Sequence, residues 1–237
     1  MSTDIDHRIT PALHPRNVQE VEGYDEDTAA ILAPTETAFS TAYEGIRAVY
    51  GAREAADKNA AWTEEAKIIQ VDEFARKHLA RITRAFDTSR ANLVKGIASI
   101  EAELSQPLES KAAASISAEI RAHAKALPMG DRHAFVGRAI QAGDHVTVSA
   151  LLGAPSYLSG LEAQFQSIYT RQWHERANPE ATKRLKAMQS AKAMIEERAG
   201  LIFAQLEKAV GGTSAKAKKL REAQTAAEKA FILRDSN

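Results

Sequence analysis

The 237 residues are enough for one large domain or two small ones, each with a real core. There is no cysteine, which excludes disulfides, thiolate nucleophiles and Cys-ligated metals together. The 31 basic and 31 acidic side chains cancel, yet residues 1–34 carry −5 (two basic, seven acidic) and residues 171–237 carry +6 (fourteen basic, eight acidic).

Aromatics make up 6% of the chain and charged residues 26%, with alanine recurring throughout, a mix that favours closely packed helices. The one β-like run, His145-Val146-Thr147-Val148, is too short to carry a sheet. The start, Met1 to Arg8, has no apolar signal segment, and nowhere do about 18 apolar residues run together. A cytoplasmic site of synthesis with no membrane span is expected.

Residues 1–34 hold Pro11, Pro15 and Pro34 with no helical period, which predicts an extended or disordered arm able to order on a neighbour. A first helix is expected after Thr35, where Phe39, Tyr43, Ile46 and Tyr50 form one stripe. Thr63 reads as the N-cap of a long helix over 64–104, with Glu64 and Glu65 in its first turn. Ala75, Leu79, Ile82, Phe86, Leu93, Ile97, Ile100 and Leu104 step by fours and threes along it, with Ser89 or Arg90 as the weak rung. Such a helix is roughly 60 Å long and needs a partner helix for its seam.

Short helices are predicted over 107–176. The first starts at Pro107 with Leu108, Ile116 and Ile120 inward, and the next opens at Gly130-Asp131 with Phe135, Val136 and Ile140 apolar. Asp144 caps a third, through Leu151 and Leu152, and Ser159-Gly160-Leu161-Glu162 reads as a capping box opening a fourth, with Phe165, Ile168 and Tyr169. Asn178-Pro179-Glu180 starts a second long helix over 179–210, with Leu185, Met188, Ile195, Ile202 and Leu206 at heptad-like spacing. A terminal helix over 214–233 has Leu220, Ala227 and Phe231 as a narrow seam. The expected fold is all-α: an extended N-terminal arm, then one elongated domain over 35–237 in which long antiparallel heptad-patterned helices flank the short ones.

Catalytic patterns are sparse. A di-iron carboxylate bundle needs Glu-x-x-His pairs, and the one carboxylate three residues before a histidine is Asp4 before His7, in the arm. No His-Glu-x-x-His or Gly-x-Ser-x-Gly occurs. Glu119 and His123 lie four apart on one helix, with Asp131 and His133 nearby in sequence; the alternatives are a metal or acid–base site and an ordinary surface pair. His78 borders the long seam, as a buried switch or as a boundary histidine with one nitrogen in water. Gly211-Gly212-Thr213-Ser214-Ala215-Lys216 is like a phosphate-binding turn at a helix N-terminus but lacks the P-loop spacing, so a helix–helix hinge is expected. No metal or cofactor is expected, and no enzymatic activity.

Two basic sets could meet phosphates: Lys77, Arg81 and Arg84 on one stripe of the long helix, and Lys216, Lys218, Lys219 and Arg221 in the terminal helix. Neither has an aromatic residue interleaved for base stacking.

Residues 139–161, AIQAGDHVTVSALLGAPSYLSGL, resemble a segment of small helical proteins encoded among tailed-phage and prophage structural genes. The shared pattern is a Gly-Asp break, an Ala-Leu-Leu helix, Ala-Pro, then Leu-Ser-Gly-Leu before another helix, over roughly a tenth of the chain. The resemblance implies a virion or assembly role and brings no catalytic residues. The expectation is therefore a non-enzymatic structural or assembly protein of a phage-like particle, capsid- or tail-associated, with other copies of itself or other particle proteins as partners. The alternative is a nucleic-acid-associated helical protein.

Overall fold

The structure is a computed structural model, and residues 5–109, 113–229 and 231 are described. The described residues form ten α-helices and two 3-10 turns, with no strand: an all-α fold. Two compact units are present, Met1–Val94 with Ala187–Asn237, and Lys95–Lys186. The single elongated domain expected over 35–237 is therefore divided in two, and its expected boundary at residue 34 falls inside a helix.

In the first unit, α1 is Glu26–Asp57. It starts ten residues before the expected position because Asp25 and Thr28 form a capping box, each side chain accepting a hydrogen bond from the other's backbone amide. Pro34 sits inside the helix, where a proline ordinarily breaks the backbone ladder. Pro34 and Ala30, whose carbonyl loses its amide partner, are both exposed, while Thr28, Leu32 and Thr35 on the other side are buried.

The expected arm is folded too. Pro11–Leu13 and Pro15–Glu20 are 3-10 turns, and Ile9, Leu13, Val18 and Val21 are buried. Polar contacts fix the segment: Tyr43 Oη accepts the Asp6 amide at 2.6 Å, Gln205 Oε1 accepts the Thr10 amide at 3.2 Å, and Arg198 donates to the Ala12 carbonyl at 3.0 Å. Pro11 and Pro15 keep their stretch out of α-helix but say nothing about whether it is packed, and Pro34 does not mark non-helical backbone at all.

α2 is Glu64–Leu104, and Thr63 Oγ1 accepts the Ala66 amide at 3.3 Å. Antiparallel packing of α2 on α1 follows from matched contacts. Phe39 meets Phe86 with ring centres 5.0 Å apart, Thr35 meets Ser89, and Gly45 lies against His78 and Ile82. A methyl group on Gly45 would come within 3.1 Å of Ile82, so the glycine permits this close approach. The weak rung is Ser89: its hydroxyl and that of Thr35 are buried together at 2.9 Å, a polar step inside an apolar seam. Of the predicted seam, Ile82, Phe86, Leu93 and Leu104 are buried, and Leu79, Ile97 and Ile100 are half-buried.

The second long helix is two. α8 is Pro179–Arg198 and α9 is Leu201–Val210, with Ala199-Gly200 as a turn between them. Glycine, with the poorest helix propensity apart from proline, stands at the break. Leu185, Met188, Ile195, Ile202 and Leu206 are all buried. α10, Ser214–Lys229, buries Ala217; Leu220 is half-buried, Ala227 exposed and Phe231 85% exposed, so the predicted seam Leu220–Ala227–Phe231 is not the packed one. The expected end at 233 lies outside the described residues.

The second unit contains α3 (Ala114–Ala126), α4 (Met129–Ala142), α5 (His145–Leu152), α6 (Ser156–Ser159) and α7 (Ala163–Ala177). Pro107 does not begin a helix: residues 105–109 have no regular structure, α3 starts at Ala114, and Ile116 is exposed. Ser159 is not a cap either. Gly160 closes α6 in the left-handed conformation at φ 72°, and the Ser159 hydroxyl turns back to the Ser156 carbonyl. The core is Val136, Ile140, Val148, Leu151, Leu152, Leu161 and Trp173. A smaller cluster joins Ile97, Ile100 and Leu104 to Ala181 and Leu185.

Arg132 fastens this unit. Its guanidinium donates to the carbonyls of Ala124 (3.0 Å), Lys125 (3.1 Å), Leu127 (2.9 Å) and Gly160. The end of α3, where the Ala124 carbonyl also accepts the Leu127 amide, and the end of α6 are thereby joined by one side chain.

Candidate functional site

The two predicted basic sets do not converge. On α2 the outer stripe of Lys77, Arg81 and Arg84 is exposed. At about 100° per residue, Arg76 sits between that stripe and the packed face. α10 faces Arg76: an open groove of about 500 Å³ lies between the two helices, lined by Arg76, Lys218, Arg221, Glu222, Thr225 and Lys229. Sequence reasoning missed Arg76, which lies off the Lys77–Arg81–Arg84 stripe, and Lys229, which stands apart from the 216–221 cluster.

Arg221 is not free for a phosphate. It is ion-paired with Asp72, a carboxylate only 10% exposed, and so it joins α10 to α2. Lys218 reaches Glu222 at 3.9 Å, a long and exposed pair of little strength. Arg76 and Lys229 have no ion partner among the described residues. Lys216 and Lys219 are exposed on α10 and do not line the groove.

Arg76 also lines a smaller pocket next to the groove, together with Leu79, Ala75, Leu206 and Phe203. Phe203, on α9, is 57% exposed. Phe203 thus shares a pocket with Arg76, a pocket that no member of the two predicted basic sets lines.

The phosphate-like turn is already occupied. Glu207 Oε1 accepts the Ser214 amide at 2.7 Å and Thr213 Oγ1 accepts the Lys216 amide at 3.2 Å, so side chains of this chain cap α10. That hydrogen bond from the Ser214 amide holds the Glu207 carboxyl below its ordinary range.

The histidines are spread over separate packing contacts. His123 meets Phe135 edge-on at 5.2 Å, while His133 bonds the Tyr169 hydroxyl at 2.9 Å and packs on Phe165 at 4.4 Å. Glu119 and Asp131 are exposed, and the four residues form no ligand set. Among the described residues no group of three or more His, Asp or Glu converges as a metal site. His78 is half-buried against Gly45 and Phe74; burial, then the Arg81 charge, lower its pKa.

Among the described residues no helix is long and apolar enough to cross a membrane. No family model, curated protein or solved structure matches the chain.

Proposed function

We propose that the chain is a non-enzymatic structural or assembly protein, a component of a tailed-phage or prophage-like particle, working through helix-mediated contacts with other copies of itself or other particle proteins. The observation that carries this reading is on α6. Tyr157 and Leu158 stand side by side at 69% and 41% exposure, within the phage-like segment 139–161. α6 packs on α3 and α5, where Ile116 and Val146 are exposed at 49% and 45%. Bulky apolar side chains exposed on adjoining elements favour a surface that is covered in use.

The contact expected from residues 1–34 is dropped, because the described part of that segment is built into the first unit. The test is to purify particles released on prophage induction and detect the chain in them by mass spectrometry. It should band with the particles at a structural copy number, and Tyr157→Ser with Leu158→Ser should reduce incorporation of a folded chain. Particles free of the chain overturn the reading.

A second reading, a nucleic-acid-associated protein, is favoured by the groove between α2 and α10 and by the exposed cations around it. Retention on immobilised DNA that fades with salt would support it, and no retention at low salt would end it.

A further inference from the structure

Within the nucleic-acid reading, we propose that the groove between α2 and α10 holds one strand of single-stranded nucleic acid, its phosphates on Arg76, Lys218 and Lys229 and a base stacked on Phe203. Three features argue for a single strand. Base stacking needs an unpaired base and an exposed ring, and Phe203 is 57% exposed beside Arg76. Lys218 and Lys229 are eleven residues apart on α10, about 16 Å along the helix, the span of a few phosphates. The available cations are few, against the six to ten phosphate contacts of a typical duplex binder. The Arg221–Asp72 pair is a strut, setting the separation of α2 and α10 while leaving the other three cations facing solvent.

Acidic side chains also border the site. Glu222 lines the groove, and Asp72 and Glu207 line the smaller pocket. Asp72 is neutralised by Arg221, whereas Glu222 and Glu207, the latter kept anionic by the Ser214 amide, remain as opposing charges against Arg76, Lys218 and Lys229. Net attraction is modest, so binding should be weak at physiological salt and clear at low salt.

The experiment is fluorescence anisotropy of a labelled oligothymidylate of about twenty nucleotides, long enough for the usual site size, titrated with the full chain from low to moderate salt. Three cations predict a log–log salt slope near −2, and Arg76→Gln with Lys229→Gln should flatten it by about 1.4. Phe203→Ala should weaken binding between roughly fivefold and a hundredfold at unchanged slope. Lys77→Gln with Arg81→Gln and Arg84→Gln, away from the groove, should change affinity far less. Circular dichroism melting confirms that each variant is folded. No binding of the oligonucleotide at low salt ends the nucleic-acid reading altogether. Binding that ignores the groove variants and is lost with the α2 stripe keeps that reading and overturns this site. Equal affinity for the duplex, or full competition by inorganic polyphosphate with no effect of Phe203→Ala, overturns the single-strand assignment.

Discussion

Leu13 decides whether the N-terminal segment is part of the core or an arm free to clasp a neighbour. Its side chain is fully buried, in a 3-10 turn held by the flanking Thr10–Gln205 and Ala12–Arg198 hydrogen bonds. Truncation to alanine removes roughly three methylene equivalents at about 0.8 kcal/mol each, and the residual cavity adds to that, for a total of about 3 kcal/mol. With a urea m-value of about 2 kcal/mol/M, the midpoint should fall by about 1.5 M. Ile5→Ala is the control, since Ile5 is 57% exposed and its loss should cost less than about 0.5 kcal/mol. Urea denaturation followed by circular dichroism measures both variants. If Leu13→Ala costs no more than Ile5→Ala, the segment is not seated in the first unit, and the reasoning that removed it as an assembly contact fails.

Ser89→Ala alone strands the Thr35 hydroxyl in the core and should cost about 1–3 kcal/mol, whereas Thr35→Val with Ser89→Ala should be nearly neutral; additive costs in a double-mutant cycle would refute a buried bonded pair. Arg8 donates to Asp6 at 2.6 and 2.8 Å and holds its pKa at about 2, below the ordinary 3.8, so this stabilisation is present above pH 4 and is lost as pH falls toward 2. The full shift corresponds to about 2.4 kcal/mol; with Arg8 40% exposed, Asp6→Asn should cost about 1–2 kcal/mol at pH 7 and almost nothing near pH 2, by urea melts at both. Arg132→Lys should cost about 2–4 kcal/mol, because an ammonium cannot serve four separated carbonyls, and hydrogen exchange should quicken at the end of α3.

Local signals were legible in the sequence. The Thr63 cap, the length of α2, the Asp144 cap and the left-handed Gly143 that closes α4 all depend on neighbours a few residues away. Ser89 was legible as a weak rung because the periodicity around it was strong. Tertiary choices were hidden. Pro34 reads as part of the arm, yet α1 passes through it, with Leu32 and Thr35 beside it buried. Gly200 breaks a helix that Leu185 to Leu206 would otherwise present as continuous. The groove and the pocket beside it bring together Arg76, Lys229 and Phe203, from three helices, and no spacing rule links them.

The opposite charges of the two ends are unequally available to a partner. In residues 1–34, Asp6 is bound to Arg8, Asp25 caps α1, and Glu26 and Asp27 sit in the first turn of that helix, where its dipole favours acids. Much of that negative charge is therefore committed locally. The excess of the other end stays outward on α10, where Lys216, Lys218 and Lys219 are exposed. Head-to-tail attraction between copies thus keeps only part of its acidic half, on the exposed Glu20, Glu22, Glu26 and Asp27, and self-association should rest mainly on apolar groups such as Tyr157 and Leu158. The two readings then respond oppositely to salt. Oligonucleotide binding at the groove should collapse as salt rises, whereas association through α6 should hold or strengthen. Light scattering across a salt series checks this, and a self-assembly that dissolves as salt rises would show that charge, not the apolar surface, joins the copies.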